Sequence, residues 1–271
     1  MNFDKILIEK EADNTRKKIG VDGYGIKDIF AGINYLGIDQ IRYPFGKDVL
    51  LGFAKVHKGK RIIVSNSSEI LAREIYTVAH ELGHIIYDFS EGKTGIKTDS
   101  DFEQSSISEK RAFYFADCFL MPKWKILEYI ERELKKKTSE LCAFDIVRIQ
   151  KEFNVSYSAI VYRLLNLRLI TRSQKERLLA EQQANTSAKL FNLLALDDSL
   201  LRPTEVIKIP DNYLEYVISN YENDLIPFSS LQKALGLIEK DAKLFRKDES
   251  LSPEQLDLDD IFKEFDNESN T

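Results

Sequence analysis

Cysteine occurs only twice in 271 residues, too rarely for a disulfide framework, and neither Cys118 nor Cys142 stands in a CxxC or CxH arrangement. Both fall in helix-like segments and read as small buried hydrophobes in a reduced compartment. Long apolar runs are missing too. No stretch approaches the roughly 18 residues that mark a membrane helix, and the opening MNFDKILIEKEADN is charged rather than signal-like. A cytoplasmic, unprocessed protein with no membrane association is therefore expected. Histidine is scarce, at three residues, yet two of them stand four apart in AHELGHIIYDF, with Glu81 between His80 and His84.

What is present suffices for a folded core: 43% of the residues are hydrophobic, enough for one large domain or two modest ones. Charge is divided along the chain. Residues 248–271 carry nine acids and one lysine, so the net charge of −5 conceals a tail of −8 and a remainder of about +3. Within that remainder, residues 123–177 hold thirteen Lys or Arg against seven Asp or Glu, a mildly basic middle. Such asymmetry fits nucleic-acid contact or internal docking, and equally fits solvated faces.

Periodicity and punctuation place the elements. A charged amphipathic helix covers the first 23 residues up to KKIGVDGYG, and a second runs from Ile26 to Leu36. IDQIRYPF, VLLGFAKV and KRIIVS read as two or three strands of a small antiparallel sheet, with His57 in the exposed turn HKGK. NSSEILAREIYTVAHELGHIIYDF reads as a helix capped by Asn66 or a following serine, with Glu69 completing a capping box. Its stripe Leu71, Ile75, Val78, Leu82 and Ile86 predicts the buried face, and the two histidines lie off it. Residues 90–106 are polar and aperiodic and read as a surface loop. A helix from Ile107 ends at Met121-Pro122, another runs from Trp124 to Lys137, and two more flank FNVS, with Ser156 as an N-cap. Beyond Gln183, EVIKIP reads as a strand, while DNYLEYVISNYEN, SSLQKALG and SPEQLDLDDIFKEF read as helices.

Histidines at i and i+4 aim two imidazoles at one point, as two corners of a tetrahedral zinc site require. Glu81 between them is placed to accept a proton from water that the metal acidifies to a pKa of about 7. A catalytic site needs a third protein ligand. Position 90 is a serine and no histidine follows His84, so the third ligand is acidic, with Asp88, Glu91, Asp99, Asp101, Glu103, Glu109 and Asp117 as candidates. Helical geometry favours Glu109, because Ala112 and Ala116 on the same face let its helix approach closely. A competing reading gives Glu109 to a capping box with Ser106. Asp88, four past His84, is placed to orient that histidine. Tyr76, Tyr87, Tyr114 and Arg73 are candidates to stabilise an oxyanion.

HELGH followed by EKRAFYFADCFLMP resembles the ImmA/IrrE family of metallopeptidases, whose second motif is E-x-x-A-x-x-F-A-x-x-L-L-M-P. Glu109, Ala112, Phe115, Ala116, Leu120, Met121 and Pro122 match it, and Phe119 replaces the first leucine. The resemblance spans roughly residues 25–170; residues 185–271 have no comparable counterpart. It implies His80, His84 and Glu109 as metal ligands and Glu81 as catalytic base. It also implies a protein substrate, a helix-turn-helix repressor of a mobile element or stress regulon.

The expected fold is α+β and mainly helical: a zincin-like domain with a small antiparallel sheet beside the HELGH helix, then a helical region and a small C-terminal domain. The expected divisions are 1–125, a metallopeptidase domain; 126–185, a helix-turn-helix-like region; and 186–271, a C-terminal domain with an acidic tail that caps that domain or docks on the basic middle. Ligand chemistry and the Irving-Williams order favour Zn²⁺ over Mn²⁺, which stays a candidate. The alternative function is a DNA-binding regulator with a non-catalytic zinc site, resting on the DIVRIQKEFNVSYSAIVYRLLNL segment.

Overall fold

Local caps start most of the helices. Asp4 accepts hydrogen bonds from the amides of Ile6 and Leu7 and opens α1, Lys5–Lys18, whose last turn carries Arg16, Lys17 and Lys18 where the helix dipole favours cations. Asp28 does the same for α2, Ile29–Tyr35. The computed structural model describes residues 4–47, 49–89, 95–98 (backbone only), 106–210 and 212–245. The expected helix SPEQLDLDDIFKEF and the acidic tail lie outside the described residues, as do Glu91, Asp99, Asp101 and Glu103.

Four strands follow α2: β1, Asp39–Tyr43; β2, Gly52–His57; β3, Lys60–Asn66; and, after an intervening helix, β4, Gly95–Thr98. Their order is β1-β3-β2-β4. β2 and β3 form the hairpin read from the sequence, turning through Lys58 and Gly59, both with positive φ as a tight two-residue turn requires. The sheet is nevertheless mixed, which corrects the antiparallel expectation: β3 folds back into the gap beside β1 and so runs parallel to it, Asp39 opposite Ile62 and Tyr43 opposite Asn66. A further correction concerns residues 90–106, where β4 pairs antiparallel with β2 inside the segment read as a loop. EVIKIP forms no strand. Only Lys208 pairs, in a single bridge to Arg42 on the free side of β1.

Across the sheet lies α3, Leu71–Tyr87, and against it α4, Ile107–Leu120. α5, Lys123–Tyr129, runs on into a π turn, Ile130–Leu134, that ends at Lys135 with φ of 53°. α6, Ala143–Phe153, and α7, Tyr157–Asn166, follow, the latter capped by Ser156 through the amide of Ala159. α8, Arg172–Ala184, and α9, Ser187–Leu193, complete this unit, whose one hydrophobic core extends from Ile8 to Leu200. The contacts divide the chain once, into Met1–Pro210 and Asp211–Thr271, so the expected divisions after 125 and 185 both fall inside the first unit. The second unit holds α10, Asn212–Glu222, and α11, Phe228–Gly236, around Ile218, Tyr221, Leu231, Leu235 and Ala242.

Two buried arginines hold α4 in place. Arg16 of α1 donates to the carbonyl of Phe119 (2.9 Å), and Arg163 of α7 donates to that of Met121 (3.1 Å). These are carbonyls that the end of a helix leaves without intrahelical partners, and a cation there also meets the negative end of the helix dipole. Burial of the Arg16 guanidinium lowers its pKa to about 10, against the raising influence of Asp13, so it stays charged at neutral pH.

Candidate metal centre

α3 begins later than its sequence suggests. Asn66 closes β3 instead of capping a helix: its side-chain oxygen accepts from the amides of Phe45 and Ser68, and its amide donates to the carbonyls of Gly46 and Leu50. With Asn66 so used, the helix starts at Leu71, and Ile70 at its cap offers no side-chain bond. Ile75, Val78 and Leu82 of the predicted stripe are buried, as are the opposite positions His80, Glu81 and His84. The helix is covered on both sides, by sheet and by α4.

α4 meets α3 at Gly83. A methyl group there would stand 3.0 Å from the Cα of Ala112 and 3.2 Å from its carbonyl oxygen, so the glycine of HELGH and the first alanine of the second helix set the spacing together. Ser106 accepts from the amide of Glu109 (3.1 Å), half of the capping box. The other half does not form. The Glu109 carboxylate turns toward the histidines, with Oε2 at 3.1 Å from Nε2 of His80 and Oε1 at 3.1 Å from Nε2 of His84.

The two Nε2 atoms are themselves 3.0 Å apart, and the three residues offer ligand atoms that all lie within 4.8 Å of one another. Zinc bonds of about 2.0–2.1 Å in tetrahedral geometry separate neighbouring ligand atoms by roughly 3.3 Å, so the donor set fits an ion of that size. Its chemistry fits as well. His84 Nδ1 lies 2.5 Å from Oδ2 of Asp88, and donating its proton there leaves a lone pair on Nε2. That lone pair, the carboxylate of Glu109 and Nε2 of His80 converge, so either a proton on His80 Nε2 or a metal cation must sit among them. Hydrogen bonding from His80 lowers the pKa of Glu109 despite burial, which keeps it ionised.

Asp88 has its oxygens turned away from the cluster. Besides His84, it accepts from the Ser108 hydroxyl and the Arg111 guanidinium on the first two turns of α4. Burial would raise its pKa, but these hydrogen bonds prevail and hold it at about 2. Asp117, another ligand candidate, instead accepts from the Tyr76 hydroxyl (2.9 Å). Tyr114 points to Glu9 of α1, Arg73 is exposed and paired with Glu69, and Tyr87 lies under Arg111 with its ring centroid 5.0 Å from the guanidinium carbon. Tyr76 packs beside Phe113, whose ring lies 4.3 Å from that of His80, but its hydroxyl is given to Asp117.

Sequence reading passed over Ser108, Arg111 and Phe113. The first two flank Glu109 by one and two positions, a proximity that alone would have nominated them. For the DNA-reading alternative, α6 and α7 form the two expected helices, but Arg163, the one arginine of α7, is buried and donates to Met121, so α7 presents no exposed basic residue. Among the described residues no helix is long and apolar enough to cross a membrane.

Residues 33–165 match the family model Peptidase_M78, described as the IrrE N-terminal-like domain. No curated protein matches the chain significantly. A Mycobacterium tuberculosis transcriptional regulator of solved structure is similar over 58% of this chain, at 17% identity and a TM-score of 0.39; the aligned part is 46% of that protein, so the chain spans less than half its length.

Proposed function

From residues 33–165, which belong to the Peptidase_M78 family of IrrE-like, zincin-type metallopeptidases, we infer that this chain is a zinc-dependent metalloendopeptidase. Its substrate is proposed to be a regulatory protein, a helix-turn-helix transcriptional repressor of a mobile element or stress regulon. One observation carries the reading: His80, His84 and Glu109 converge from two helices, their ligand-type atoms spaced about one point as a small divalent cation requires.

His80, His84 and Glu109 would hold the ion, and Zn²⁺ is preferred to Mn²⁺ because two of the three ligands are imidazoles. When bound, zinc supplies Lewis acidity toward a peptide carbonyl and toward water. The chain's own part begins with Glu81, buried on the same turn of α3 as both histidines. Its carboxylate takes the proton that water loses as it attacks the carbonyl carbon and returns it to the departing amine, so that one C–N bond breaks as one C–O bond forms. Burial of this turn between the sheet and α4 restricts bulk water around the transferring proton.

The test is cleavage of a helix-turn-helix repressor encoded beside the gene, with Zn²⁺ or Mn²⁺ supplied. Glu81→Gln should lower the rate by about 10²–10⁴-fold while zinc still binds, as loss of a general base does. Equal cleavage by wild type and Glu81→Gln would refute the assignment of the base, and zinc binding unaffected by His80→Ala or Glu109→Ala would refute the metal site.

A further inference from the structure

Resting on that reading of the metal site, we propose that Asp88 is a positioning residue: it fixes the proton on Nδ1 of His84 and, through Ser108 and Arg111, ties the second histidine to the helix that supplies Glu109. Three donors from two helices end on its carboxylate, namely His84 Nδ1 at 2.5 Å, the hydroxyl of Ser108 and the guanidinium of Arg111. Its side chain is only 9% exposed, so the contacts form with little competition from water.

An imidazole with a proton on Nδ1 can offer a lone pair only from Nε2, and Nε2 of His84 is the atom that faces His80 and Glu109. Choosing the tautomer therefore chooses the ligand atom. The second consequence concerns distance. Ser108 and Arg111 stand on either side of Glu109 in α4, and Arg111 also donates to the carbonyl of Tyr87 at the end of α3. Asp88 thus joins the last turn of α3 to the first two turns of α4 at the level of the cluster. His80 has no equivalent. Its Nδ1 is buried without a hydrogen-bond partner among the described residues, and an aromatic contact with Phe113 bounds its ring. Among the described residues, His84 is the one of the pair with a carboxylate on its Nδ1.

Partners of this kind usually contribute about 10–100-fold to metal affinity. The experiment uses the full chain with uniformly ¹⁵N-labelled histidine, three residues in all, assigned with His80→Ala and His84→Ala. Nitrogen shifts read the tautomer of His84 without metal, and competition against a chelator reads the affinity for Zn²⁺. In the wild type Nδ1 of His84 should carry the proton. Asp88→Ala should release that preference and weaken Zn²⁺ binding by about 10–100-fold, while Asp88→Asn, which keeps an acceptor, should restore the Nδ1 proton and part of the affinity.

Thermal melts of the metal-free variants separate misfolding from mispositioning, and Ser108→Ala, which spares the carboxylate, should weaken binding less than Asp88→Ala. A proton on Nε2 in the wild type, or Asp88→Ala matching the wild type in tautomer and affinity, would overturn the proposal. If the wild type bound no metal yet kept the Nδ1 proton in an Asp88-dependent way, the metallopeptidase reading would fail while the positioning of His84 by Asp88 would stand.

Discussion

α3 carries a saturated carboxylate near each end, and the two ends do different work. At the sheet end, Glu74 accepts two bonds from Arg42 (both 2.8 Å) and one from Ser65 (2.9 Å), with no exposed side-chain surface. Arg42 also bonds Thr204 and stacks over Phe30, its guanidinium carbon 3.7 Å from the ring centroid, so β1, β3, α2, α3 and the segment after residue 202 meet at one ion pair. At the other end Asp88 gathers a histidine, a serine and an arginine. Both are locally complete, but only Asp88 touches a residue of the metal cluster. The comparison teaches that similar polar saturation can serve anchoring in one place and chemistry in another, and that the partners reveal which.

Breaking the sheet end should give the largest loss of stability. Arg42→Ala leaves Glu74 buried and without its cation, a change that costs about 3–5 kcal/mol and should lower the melting temperature by on the order of 10 °C. Zinc affinity per folded molecule should be nearly unchanged. A tenfold or larger fall in that affinity would mean the two ends are coupled through α3, and the division of labour would have to be given up. Asp88→Ala is the reciprocal probe, expected to move metal affinity far more than the melting temperature.

Between the ends, Gly83→Ala tests the contact that both share. The added methyl meets backbone atoms of Ala112, which cannot swing aside as a flexible side chain would. Overpacking of this kind costs about 1–3 kcal/mol, and the helix propensity gained returns about 1 kcal/mol. A net loss of up to about 2 kcal/mol is expected, together with weaker Zn²⁺ binding, because pushing α4 outward carries Glu109 from the histidines. Calorimetry and chelator competition on one preparation would check both.

How much of this was readable in advance follows from how local each signal is. HELGH, the match around Glu109, the stop at Pro122 and the Ser156 cap are set by residues within a turn or two, and the structure keeps each of these elements. The late start of α3 could not be read, because Asn66 is a good cap whose bonds go to a loop some twenty residues earlier. The parallel pairing of β1 with β3 depends on which edge the hairpin closes against, and hydrophobic alternation is the same for either outcome. Lys208 adds one bridge to β1 where EVIKIP looked like a strand, since β-branched residues signal extension rather than a partner. No local signal marks Arg16 or Arg163 as buried; only the fold brings the end of α4 to them.

The smallest expected effect lies about two turns along α4 from Glu109, and it tests whether polar saturation always stabilises. Asp117 bonds Tyr76, yet burial raises its pKa against the lowering influence of Arg163 and of that hydrogen bond. A folded pKa above the unfolded one means that the folded chain holds the proton to higher pH, so ionised Asp117 subtracts stability at neutral pH. That deficit disappears as pH falls below the unfolded value near 4, where both states are protonated. Asp117→Asn removes the charge and keeps an acceptor for Tyr76. It should therefore melt slightly higher than the wild type at pH 7.5, with the difference vanishing by about pH 3. Equal melting at both values would mean that Arg163 offsets the burial of Asp117 in full, making this pair as complete as Glu74 with Arg42; a lower melting temperature at pH 7.5 would make the ionised carboxylate a third anchor of α3.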